Sequence, residues 1–532
     1  MGIFLNRGIE EFESVVNSKI YVDKTDMIDF FNDVIETEQR YVCVSRPRRF
    51  GKSVTANMIA AYFEKDSDSR SLFEGRKLSN SSGWDRNLNK YDVIRIDMAE
   101  IMSDCQSGKE AIDYIERAVI RELCEEYLTE ALDDEEATIA NVLARINEKY
   151  GYSFIIIIDE WDALFRENKA DVEVQKRYID ILRTLFKGNR SKKFTALAYI
   201  TGILPIKKYN SESALNNFYE YTMLNPKKLA PYIGFNENEV KELCDEYDMD
   251  YDKAMEWYDG YSFKHAKHIC GPNSIVRAML DEEYDNYWSQ TVAYNSLKGY
   301  ITMNFDGLKD AVKIMLGGQR VKVNVMSFEN DMVSFANKDD IITVLIHLGY
   351  LAYDNVSKEA YIPNREVREI FERTIDSTGW NELIETLEAS EDMLRATVSG
   401  HADQVARLMD ECHMKNTSIL NYNNENALAS CIMLAYYTAR KNYSIVRELP
   451  AGYGYADLVF VPKRGYDAPA MIIELKWDKS AETAIQQIKS KKYIKGLDGY
   501  HGTVILVGIS YEKAAKGENN KKHSCVIEQV LI

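Results

Sequence analysis

The strongest constraint on the fold of this sequence is a short basic loop between an apolar stretch and an amphipathic one. Residues 41–45 (Tyr-Val-Cys-Val-Ser) are the apolar stretch, and residues 46–53 (Arg-Pro-Arg-Arg-Phe-Gly-Lys-Ser) are the loop and the start of the amphipathic stretch. This order predicts a strand, a tight turn and a helix N-terminus, whose backbone N–H groups can bind phosphate oxygens. Because strand-like and helix-like segments alternate over residues 1–225, we expect a parallel sheet with helices on both faces.

The loop predicts a site for a nucleoside triphosphate. Lys52 would reach the β- and γ-phosphates, and the Ser53 hydroxyl would complete the ligand shell of Mg²⁺. The candidate nucleotide-binding residues of the loop are Arg48, Arg49, Phe50, Gly51, Lys52 and Ser53. Arg46 stands where the pattern G-x-x-x-x-G-K-[ST] has glycine, and because a Cβ restricts the backbone, the loop must have a different shape. The alternative is a basic surface loop that caps a helix.

A second motif favours nucleotide binding over a simple basic loop. Residues 154–160 are an apolar run that ends in Asp159 and Glu160, which is typical of a buried strand in a parallel sheet. Beside the phosphate loop, Asp159 would hold Mg²⁺ through water and Glu160 would polarise the attacking water. The alternative is a buried strand whose terminal acids are only solvated. The next strand ends at Thr201, which is either a sensor hydroxyl near the γ-phosphate or a turn residue.

Charge and cysteine content limit the partners that we expect. The net charge of −18 argues against a surface built uniformly for nucleic acid, but residues 441–532 hold 14 Lys and Arg against 10 Asp and Glu. Positive charge is therefore local, as a bound polyanion would require. Cysteines without a C-x-x-C pair, the lack of a secretory leader and the lack of any apolar stretch of ~20 residues predict a cytoplasmic protein with no membrane partner.

A second group of candidate residues lies near the C-terminus. Residues 455–461 and 471–477 are strand-like and are separated by a turn, which predicts a hairpin. Side chains alternate along a strand, so Glu474 and Lys476 share one face, and Asp457 on the partner strand can approach Glu474. Two carboxylates this close need a cation, and Mg²⁺ there would act as a Lewis acid on a phosphodiester. The alternative is an edge hairpin with an ordinary cross-strand salt bridge.

Segments on both sides of the hairpin favour the metal-site interpretation. Residues 484–493 predict a helix that carries Gln487 and Lys491 on one face, and residues 503–508 predict a further strand of the same sheet. Upstream of the hairpin, Glu425 lies in a segment that we predict to be an apolar helix.

These motifs resemble a bacterial and archaeal family of AAA-ATPase-like proteins that carry a C-terminal domain of the PD-(D/E)XK nuclease superfamily. In that family the phosphate loop is usually Arg-Pro-Arg-Arg-Phe-Gly-Lys-Ser, so Arg46 is a family trait. The resemblance runs over nearly the whole chain. The segments that carry it are residues 21–25, 45–53, 158–162, 200–203, 257–261, 454–457, 474–476 and 487–488.

The resemblance implies a P-loop ATPase core and a restriction-endonuclease-like α/β domain. The implied boundaries are 1–225 for the ATPase core, 226–300 for a helical lid, 301–400 for a helical connector and 401–532 for the nuclease-like domain. It also implies metal and catalytic roles for Asp457, Glu474 and Lys476, with Gln487 as a helix-borne auxiliary. With the first site included, the candidate catalytic residues are Glu160, Asp457, Glu474, Lys476 and Gln487, and the candidate metal ligands are Ser53, Asp159, Asp457 and Glu474.

Three functions are compatible with these features of the sequence. The first is an ATPase whose cycle controls a Mg²⁺-dependent nuclease, with ATP and Mg²⁺ as cofactors and nucleic acid, DNA before RNA, as partner. The second is a nucleotide-gated switch whose C-terminal domain binds nucleic acid or a protein without cleavage, and the third is a small-molecule kinase. No arginine finger can be chosen among Arg166, Arg183 and Arg190, so the sequence leaves an oligomer open.

Overall fold

The computed structural model of the chain consists of two compact units. The first comprises Met1–Leu308 and Arg320–Phe371, and the second comprises Lys309–Gln319 and Glu372–Ile532. The domain boundaries at residues 225, 300 and 400 stay predictions. The structure describes residues 2–127, 138–167, 171–206, 208–209, 212–213, 215–232, 234–288, 293–303, 305–329, 335–378, 381–416, 432–433, 435–451, 454–463, 466, 468–497, 500–512 and 522–532.

Strands and helices are numbered in chain order over the described residues. The strands are β1 (Tyr41–Ser45), β2 (Asp92–Asp97), β3 (Phe154–Asp159), β4 (Thr195–Gly202), β5 (Lys208–Tyr209), β6 (Glu212–Ser213), β7 (Tyr219–Tyr221), β8 (Val321–Lys322), β9 (Ala352–Asp354), β10 (Glu359–Tyr361), β11 (Tyr443–Ala451), β12 (Gly454–Pro462), β13 (Ala470–Trp477), β14 (Thr503–Glu512) and β15 (Lys522–Leu531). The helices are α1 (Glu10–Val16), α2 (Met27–Val34), α3 (Lys52–Phe63), α4 (Arg70–Phe73), α5 (Met98–Asp104), α6 (Gly108–Tyr127), α7 (Ile139–Tyr150), α8 (Ala163–Glu167), α9 (Val172–Phe186), α10 (Ser191–Phe194), α11 (Glu237–Glu246), α12 (Tyr251–Tyr258), α13 (Pro272–Asp281), α14 (Ala293–Ile301), α15 (Leu308–Leu316), α16 (Lys338–Leu348), α17 (Arg365–Thr378), α18 (Asn381–Val398), α19 (Ala402–Asn416) and α20 (Ala481–Ser490). Short 3₁₀ helices occupy Lys77–Asn80, Lys227–Tyr232, Tyr437–Lys441 and Tyr493–Gly496.

A parallel sheet is the centre of the first unit. Its strand order is β2-β3-β4-β1-β7, and each neighbouring pair is parallel. Every residue of β3 is buried, which agrees with its run of four isoleucines, because a strand covered on both faces is apolar throughout. The parallel sheet with helices that the sequence predicts is confirmed.

Helices α6, α7 and α9 pack with this sheet in one apolar core. On α6 the buried residues Ile112, Ile115 and Val119 recur every three or four positions, so they lie on one helical face. A second apolar cluster in the same unit joins α11, α12 and α13, and the aromatic residues Trp257 and Tyr258 belong to it. A small antiparallel sheet of order β8-β10-β9 also lies in this unit, in a region that the sequence predicts to be mainly helical.

The sheet of the second unit is mixed. Its order is β11-β12-β13-β14-β15, and only β13 and β14 are parallel among its paired strands. Helix α20 connects those two strands in the chain, as a parallel crossover requires. The predicted hairpin is confirmed as β12 and β13, with Leu458 opposite Ile473. Among the helices that the structure describes, none has the length and apolar content to span a lipid bilayer.

Candidate active sites

The carboxyl ends of four parallel strands in the first unit meet at one edge of the sheet. Asp97 at the end of β2 is in register with Asp159 at the end of β3, and Ser45 at the end of β1 is in register with Gly202 at the end of β4. The phosphate loop leaves this edge directly after Ser45. The edge is therefore the place where a parallel α/β sheet binds its ligand.

The phosphate loop turns at Arg49 and Gly51. Both residues have positive φ angles, 68° at Arg49 and 74° at Gly51. Gly51 is the N-cap of α3 and offers no side chain to the helix, so the first backbone N–H groups of α3 lack a side-chain cap. These donors are the ones that a helix N-terminus uses for phosphate oxygens.

Arg46 fits the loop without taking the left-handed conformation that the usual glycine allows. Its backbone N–H donates to the Gly202 carbonyl at 2.9 Å, and its side chain is buried with the guanidinium 5.9 Å from the ring centre of Phe263. None of its three guanidinium nitrogens has a hydrogen-bond partner among the described residues. Burial lowers the pKa of Arg46 to about 9. The departure from the glycine pattern is therefore accommodated by burying the side chain, while the turn is made at residues 49 and 51.

Residues that flank Lys52 in the loop contact other parts of the first unit. The Phe50 ring packs edge-on against Tyr261 with 5.3 Å between ring centres, and Arg49 Nη1 donates to the Tyr287 carbonyl at 3.3 Å. Tyr261 in turn donates its hydroxyl hydrogen to the Gly349 carbonyl at 2.5 Å. Arg48 and Arg49 are exposed, whereas Phe50 is buried. The structure thus gives Phe50 a packing contact, while the arginines lie at the surface.

Lys52 is buried and has two partners. Its Nζ donates to the Pro47 carbonyl at 3.0 Å and forms an ion pair with Glu160 Oε1 at 3.1 Å. Ser53, the next residue of α3, is exposed. Lys52 therefore bridges the phosphate loop and the acid that follows β3.

Asp159 has a carboxylate oxygen available for a cation. Its side chain is fully buried; Oδ1 accepts the Glu160 N–H at 2.9 Å, whereas Oδ2 has no hydrogen-bond partner among the described residues. Burial raises the pKa of Asp159 to about 6, against the opposing effect of the Ser53 hydroxyl. A buried carboxylate in this condition fits a Mg²⁺ ion, directly or through water, because the cation would offset the desolvation of the charge.

Glu160 lies between two cations. Its backbone has a φ of 47°, Oε1 pairs with Lys52, and Oε2 accepts a hydrogen bond from Arg166 Nη2. Burial alone would raise the pKa of Glu160, but the charges of Lys52 and Arg166 outweigh it and hold the pKa below its usual value. Glu160 is therefore a carboxylate rather than a carboxylic acid at neutral pH.

Asp162 and Arg166 extend this group; from the sequence, Asp162 has no predicted role and Arg166 is only one of three arginine-finger candidates. Arg166 Nε lies 3.3 Å from Asp162 Oδ2, and Asp162 accepts the backbone N–H groups of Ile203 at 3.2 Å and Leu204 at 2.8 Å. Arg166 follows Asp162 by four residues, which is the spacing of neighbours on one helical face. That spacing in the segment after Glu160 was the available signal. Thr201, also at this edge, is buried; its carbonyl accepts the Trp161 N–H at 2.9 Å, and its hydroxyl has no partner among the described residues.

The second unit brings together all four of its predicted site residues. Lys476 Nζ lies 2.8 Å from Glu474 Oε1, and Gln487 Nε2 donates to the same oxygen. Asp457 Oδ2 accepts the Leu475 N–H at 2.7 Å. Leu475 is in the apolar core on the other face of β13, as strand alternation predicts. Glu425 lies outside the described residues.

Glu474 is the counterpart of Asp159 in this unit. Its side chain is buried, and Oε2 has no hydrogen-bond partner among the described residues. Burial, reinforced by the charge of Asp457, raises the pKa of Glu474 to about 7. Over the part of the chain that the structure describes, no three His, Cys, Asp or Glu side chains form a group that could hold a metal ion. The donor set at Glu474 and Asp457 is therefore two carboxylates, which suits Mg²⁺ because that ion keeps several of its waters.

Comparison with known proteins identifies both parts of the chain. Residues 6–210 match the family model described as a predicted AAA-ATPase, and residues 423–519 match the model of the PD-(D/E)XK nuclease superfamily. The resemblance predicted from the sequence is confirmed. The AAA-ATPase-like match contains the phosphate loop and Glu160, and the nuclease-superfamily match contains Asp457, Glu474, Lys476 and Gln487.

Individual proteins are more distant. An "Uncharacterized protein in vnfD 5'region" of Azotobacter chroococcum is 25% identical over 292 residues, and the match covers 53% of this chain and 53% of that protein. Among solved structures, the ORC2 protein of Aeropyrum pernix in ADPNP and ADP complexes has a TM-score of 0.28 and 9% identity, covering 68% of this chain and 98% of its own. Cdc6p of Pyrobaculum aerophilum has a TM-score of 0.26 and 8% identity, covering 69% and 98%.

Proposed function

We propose that the chain binds and hydrolyses ATP and that its ATP cycle controls a Mg²⁺-dependent phosphodiesterase that acts on nucleic acid. One observation carries the proposal. In each unit a buried carboxylate oxygen, Asp159 Oδ2 or Glu474 Oε2, has no hydrogen-bond partner among the described residues. An unpaired buried carboxylate is unfavourable, so two such oxygens at the two predicted metal sites support two cation-dependent sites.

In the ATPase site the residues of the chain would divide the work as follows. The backbone N–H groups after Gly51 would bind phosphate oxygens, with Arg48 and Arg49 exposed beside them. Lys52 would exchange its contact with Glu160 for one with the β- and γ-phosphates. Glu160 would then orient the attacking water. Phe50 would keep the loop in shape through Tyr261 rather than touch the nucleotide.

The remaining residues of that site would serve the metal and the γ-phosphate. Asp159 and Ser53 would hold Mg²⁺, which supplies charge neutralisation at the phosphates. Thr201, whose buried hydroxyl lies at the same sheet edge, would donate to the γ-phosphate as a sensor.

In the nuclease-like site, Asp457 and Glu474 would hold Mg²⁺ and Lys476 would orient the attacking water or stabilise charge on phosphorus. Bound Mg²⁺ would supply Lewis acidity and lower the pKa of that water. Gln487 would hold the Glu474 carboxylate from α20. Nucleic acid, with DNA before RNA, is the proposed substrate, since the exposed Lys491, Lys492 and Lys495 follow Gln487 and can contact phosphates.

The proposed compartment is the cytoplasm. The described cysteines, which are seven in number, are all free thiols, and this state persists in a reducing environment.

Cleavage assays with matched lysine variants test the nuclease half. Supercoiled DNA, linear DNA and RNA are incubated with Mg²⁺ or Mn²⁺, with and without ATP. We expect cleavage by the wild type and by Lys479→Ala, an exposed lysine three residues from the site, and none by Lys476→Ala. If the wild type binds nucleic acid in a shift assay but never cuts it, the C-terminal domain is a binding module and the nuclease proposal is wrong.

A matched pair of lysine variants also tests the ATPase half of the proposal. Lys52→Ala should lose ATP turnover because it removes the side-chain cation that reaches the phosphates, whereas Lys187→Ala, at an exposed lysine, should keep it. Turnover without any added acceptor would also count against a small-molecule kinase. Wild-type turnover by Lys52→Ala would refute the assignment of the phosphate loop.

A further inference from the structure

The two oxygens of the Glu160 carboxylate are held by two different cations. Lys52 pairs with Oε1 at 3.1 Å, and Arg166 pairs with Oε2. The side chains of both cations are almost completely buried. Each oxygen of the Glu160 carboxylate therefore has its own cationic partner.

Of these two cations, Lys52 is the one that can break its contact with Glu160. Lys52 lies on α3 immediately after the phosphate loop, and its other contact is the Pro47 carbonyl within the same loop. If ATP binds there, its phosphates carry several negative charges and compete with the single charge of Glu160 for Lys52. The ion pair between Lys52 and Glu160 must then open. That exchange exposes Oε1.

Arg166, by contrast, is also held by a second carboxylate, that of Asp162. Its Nε lies 3.3 Å from the buried Asp162 Oδ2, and Asp162 accepts the backbone N–H groups of Ile203 and Leu204. Gly202 closes the space beside Asp162, because a Cβ at Gly202 would lie 2.5 Å from Asp162 Oδ1. A guanidinium bound to an anchored, buried carboxylate is a poor candidate for an arginine finger, since reaching a phosphate would leave Asp162 unpaired.

We propose that Arg166 is a positioning residue for Glu160. It holds Oε2 in place, so that Oε1, once Lys52 has moved to the phosphates, accepts a proton from the attacking water. In that step the water oxygen forms a bond to the γ-phosphorus, the bond from phosphorus to the bridging oxygen breaks with its electron pair passing to ADP, and Glu160 later returns the proton to solvent. The proposal rests on the ATP hydrolysis proposed above.

The test separates nucleotide binding from turnover. Arg166→Gln should lower kcat by about tenfold or more, since general-base catalysis depends on placement of the base, while the Kd for a non-hydrolysable ATP analogue stays within about twofold. Arg121→Gln, at an exposed arginine on α6, is the matched control and should leave both unchanged. A parallel loss of binding and turnover, or no change in kcat, would overturn the proposal.

Two further variants show whether a loss of kcat comes from misfolding and whether Arg166 acts through Glu160. Arg166→Lys keeps the charge but one ammonium cannot span Glu160 and Asp162 as the guanidinium does, so its kcat should fall between those of the wild type and Arg166→Gln. If Arg166→Gln does not fold, a wild-type kcat in Arg166→Lys refutes the proposal. In a Glu160→Gln background, Arg166→Gln should cause no further fall in kcat, and an additional fall of the original size would mean that Arg166 acts independently of Glu160.

Failure of the function and failure of this inference give different results. If the wild type shows no ATP turnover, the proposed ATPase function is wrong and the role of Arg166 falls with it. If the wild type turns ATP over and Arg166→Gln does so equally fast, the ATPase function stands and only the role of Arg166 is refuted.

Discussion

Buried charge is the common feature of the single residues that define both sites. Lys52 neutralises Glu160 in one unit and Lys476 neutralises Glu474 in the other, and all four side chains are largely removed from solvent. Removing one member of such a pair leaves an unpaired buried charge, which is more unfavourable than replacing both members. The stability of each single variant therefore has to be measured together with its activity. Lys-to-Ala variants at exposed positions are the proper controls.

Arg46 gives a prediction about stability at one residue. Its guanidinium is buried and has no hydrogen-bond partner among the described residues, so it contributes desolvation without compensating contacts. Arg46→Met keeps an apolar stem of similar length under Phe263 and should leave the free energy of unfolding unchanged or raise it by about 1 kcal/mol. Arg46→Ala, which leaves a cavity instead, should lower it by about 2 kcal/mol. Denaturant unfolding without nucleotide measures both, and a loss of more than about 2 kcal/mol in Arg46→Met would show that the guanidinium is stabilising.

Glu474 gives a prediction about pH and metal. Its pKa is raised by burial to about 7, from 4.5 for an ordinary glutamate, so its contribution to stability is full below pH 4.5 and is lost as the pH rises through about 7. Mg²⁺ binds the deprotonated carboxylate and competes with the proton. We therefore expect Mg²⁺ to raise the melting temperature of the full chain more at pH 8 than at pH 6.

The carboxylate opposite Glu474 provides the control for that experiment. Asp457→Asn should abolish the Mg²⁺ effect at pH 8, whereas Asp478→Asn, at an exposed acid beyond the end of β13, should keep it. An equal shift in Asp457→Asn and the wild type would mean that the two carboxylates are an ordinary hairpin pair without a metal.

At the scale of elements, the sequence predicted the strands whose pattern is set by burial. β3 is apolar along its whole length because it is central in a parallel sheet, and β12 with β13 has the alternation of a hairpin with one core face. The edge strands β11 and β15 were not predicted, and β15 is only partly buried, so its apolar periodicity is weak. β8 has two residues and is too short to show any period.

The sites were predictable to the same extent as the strands that carry them. Five of the site residues lie at strand ends, next to them, or on alternating strand positions, and such positions can be predicted from an apolar pattern. These residues are Asp159, Glu160, Asp457, Glu474 and Lys476. The four-residue spacing of Asp162 and Arg166 is visible in the sequence, but the pairing of Arg166 with Glu160 and the burial of Arg46 depend on side-chain placement in three dimensions.

The contact between Phe50 of the phosphate loop and Tyr261 gives a prediction at this scale. Phe50 is buried against Tyr261, so Phe50→Ala should remove the packing that joins the loop to residues 257–263. Amide hydrogen exchange of residues 259–263 should become faster, and affinity for an ATP analogue should fall because the loop loses a fixed shape. Val54→Ala, at a partly exposed position of α3, should change neither. Unchanged exchange in Phe50→Ala would mean that the loop is held by other contacts.

At the scale of the whole molecule, the proposed function couples two sites in one mechanism. The residues around the phosphate loop and those of the nuclease-like site lie in different compact units of the chain. Glu474→Ala or Lys476→Ala should therefore eliminate cleavage and leave ATP hydrolysis near the wild-type rate. A large loss of ATP hydrolysis in either variant would show that the units depend on each other for more than gating.

If the ATP cycle controls cleavage, a variant of the ATPase site should change the rate of cleavage. Glu160→Gln keeps Asp159 for Mg²⁺ but removes the base, so the protein should bind ATP without hydrolysing it and remain in one nucleotide state. Coupling between sites is a difference in free energy between states, so the ATP-held protein must cleave nucleic acid either faster or slower than the ADP-bound protein. The measurement is the cleavage rate with ATP, with ADP, without nucleotide and in Glu160→Gln. If all four rates are equal, no nucleotide state is favoured at the nuclease-like site, and the chain is two enzymes joined in one polypeptide without control of one by the other.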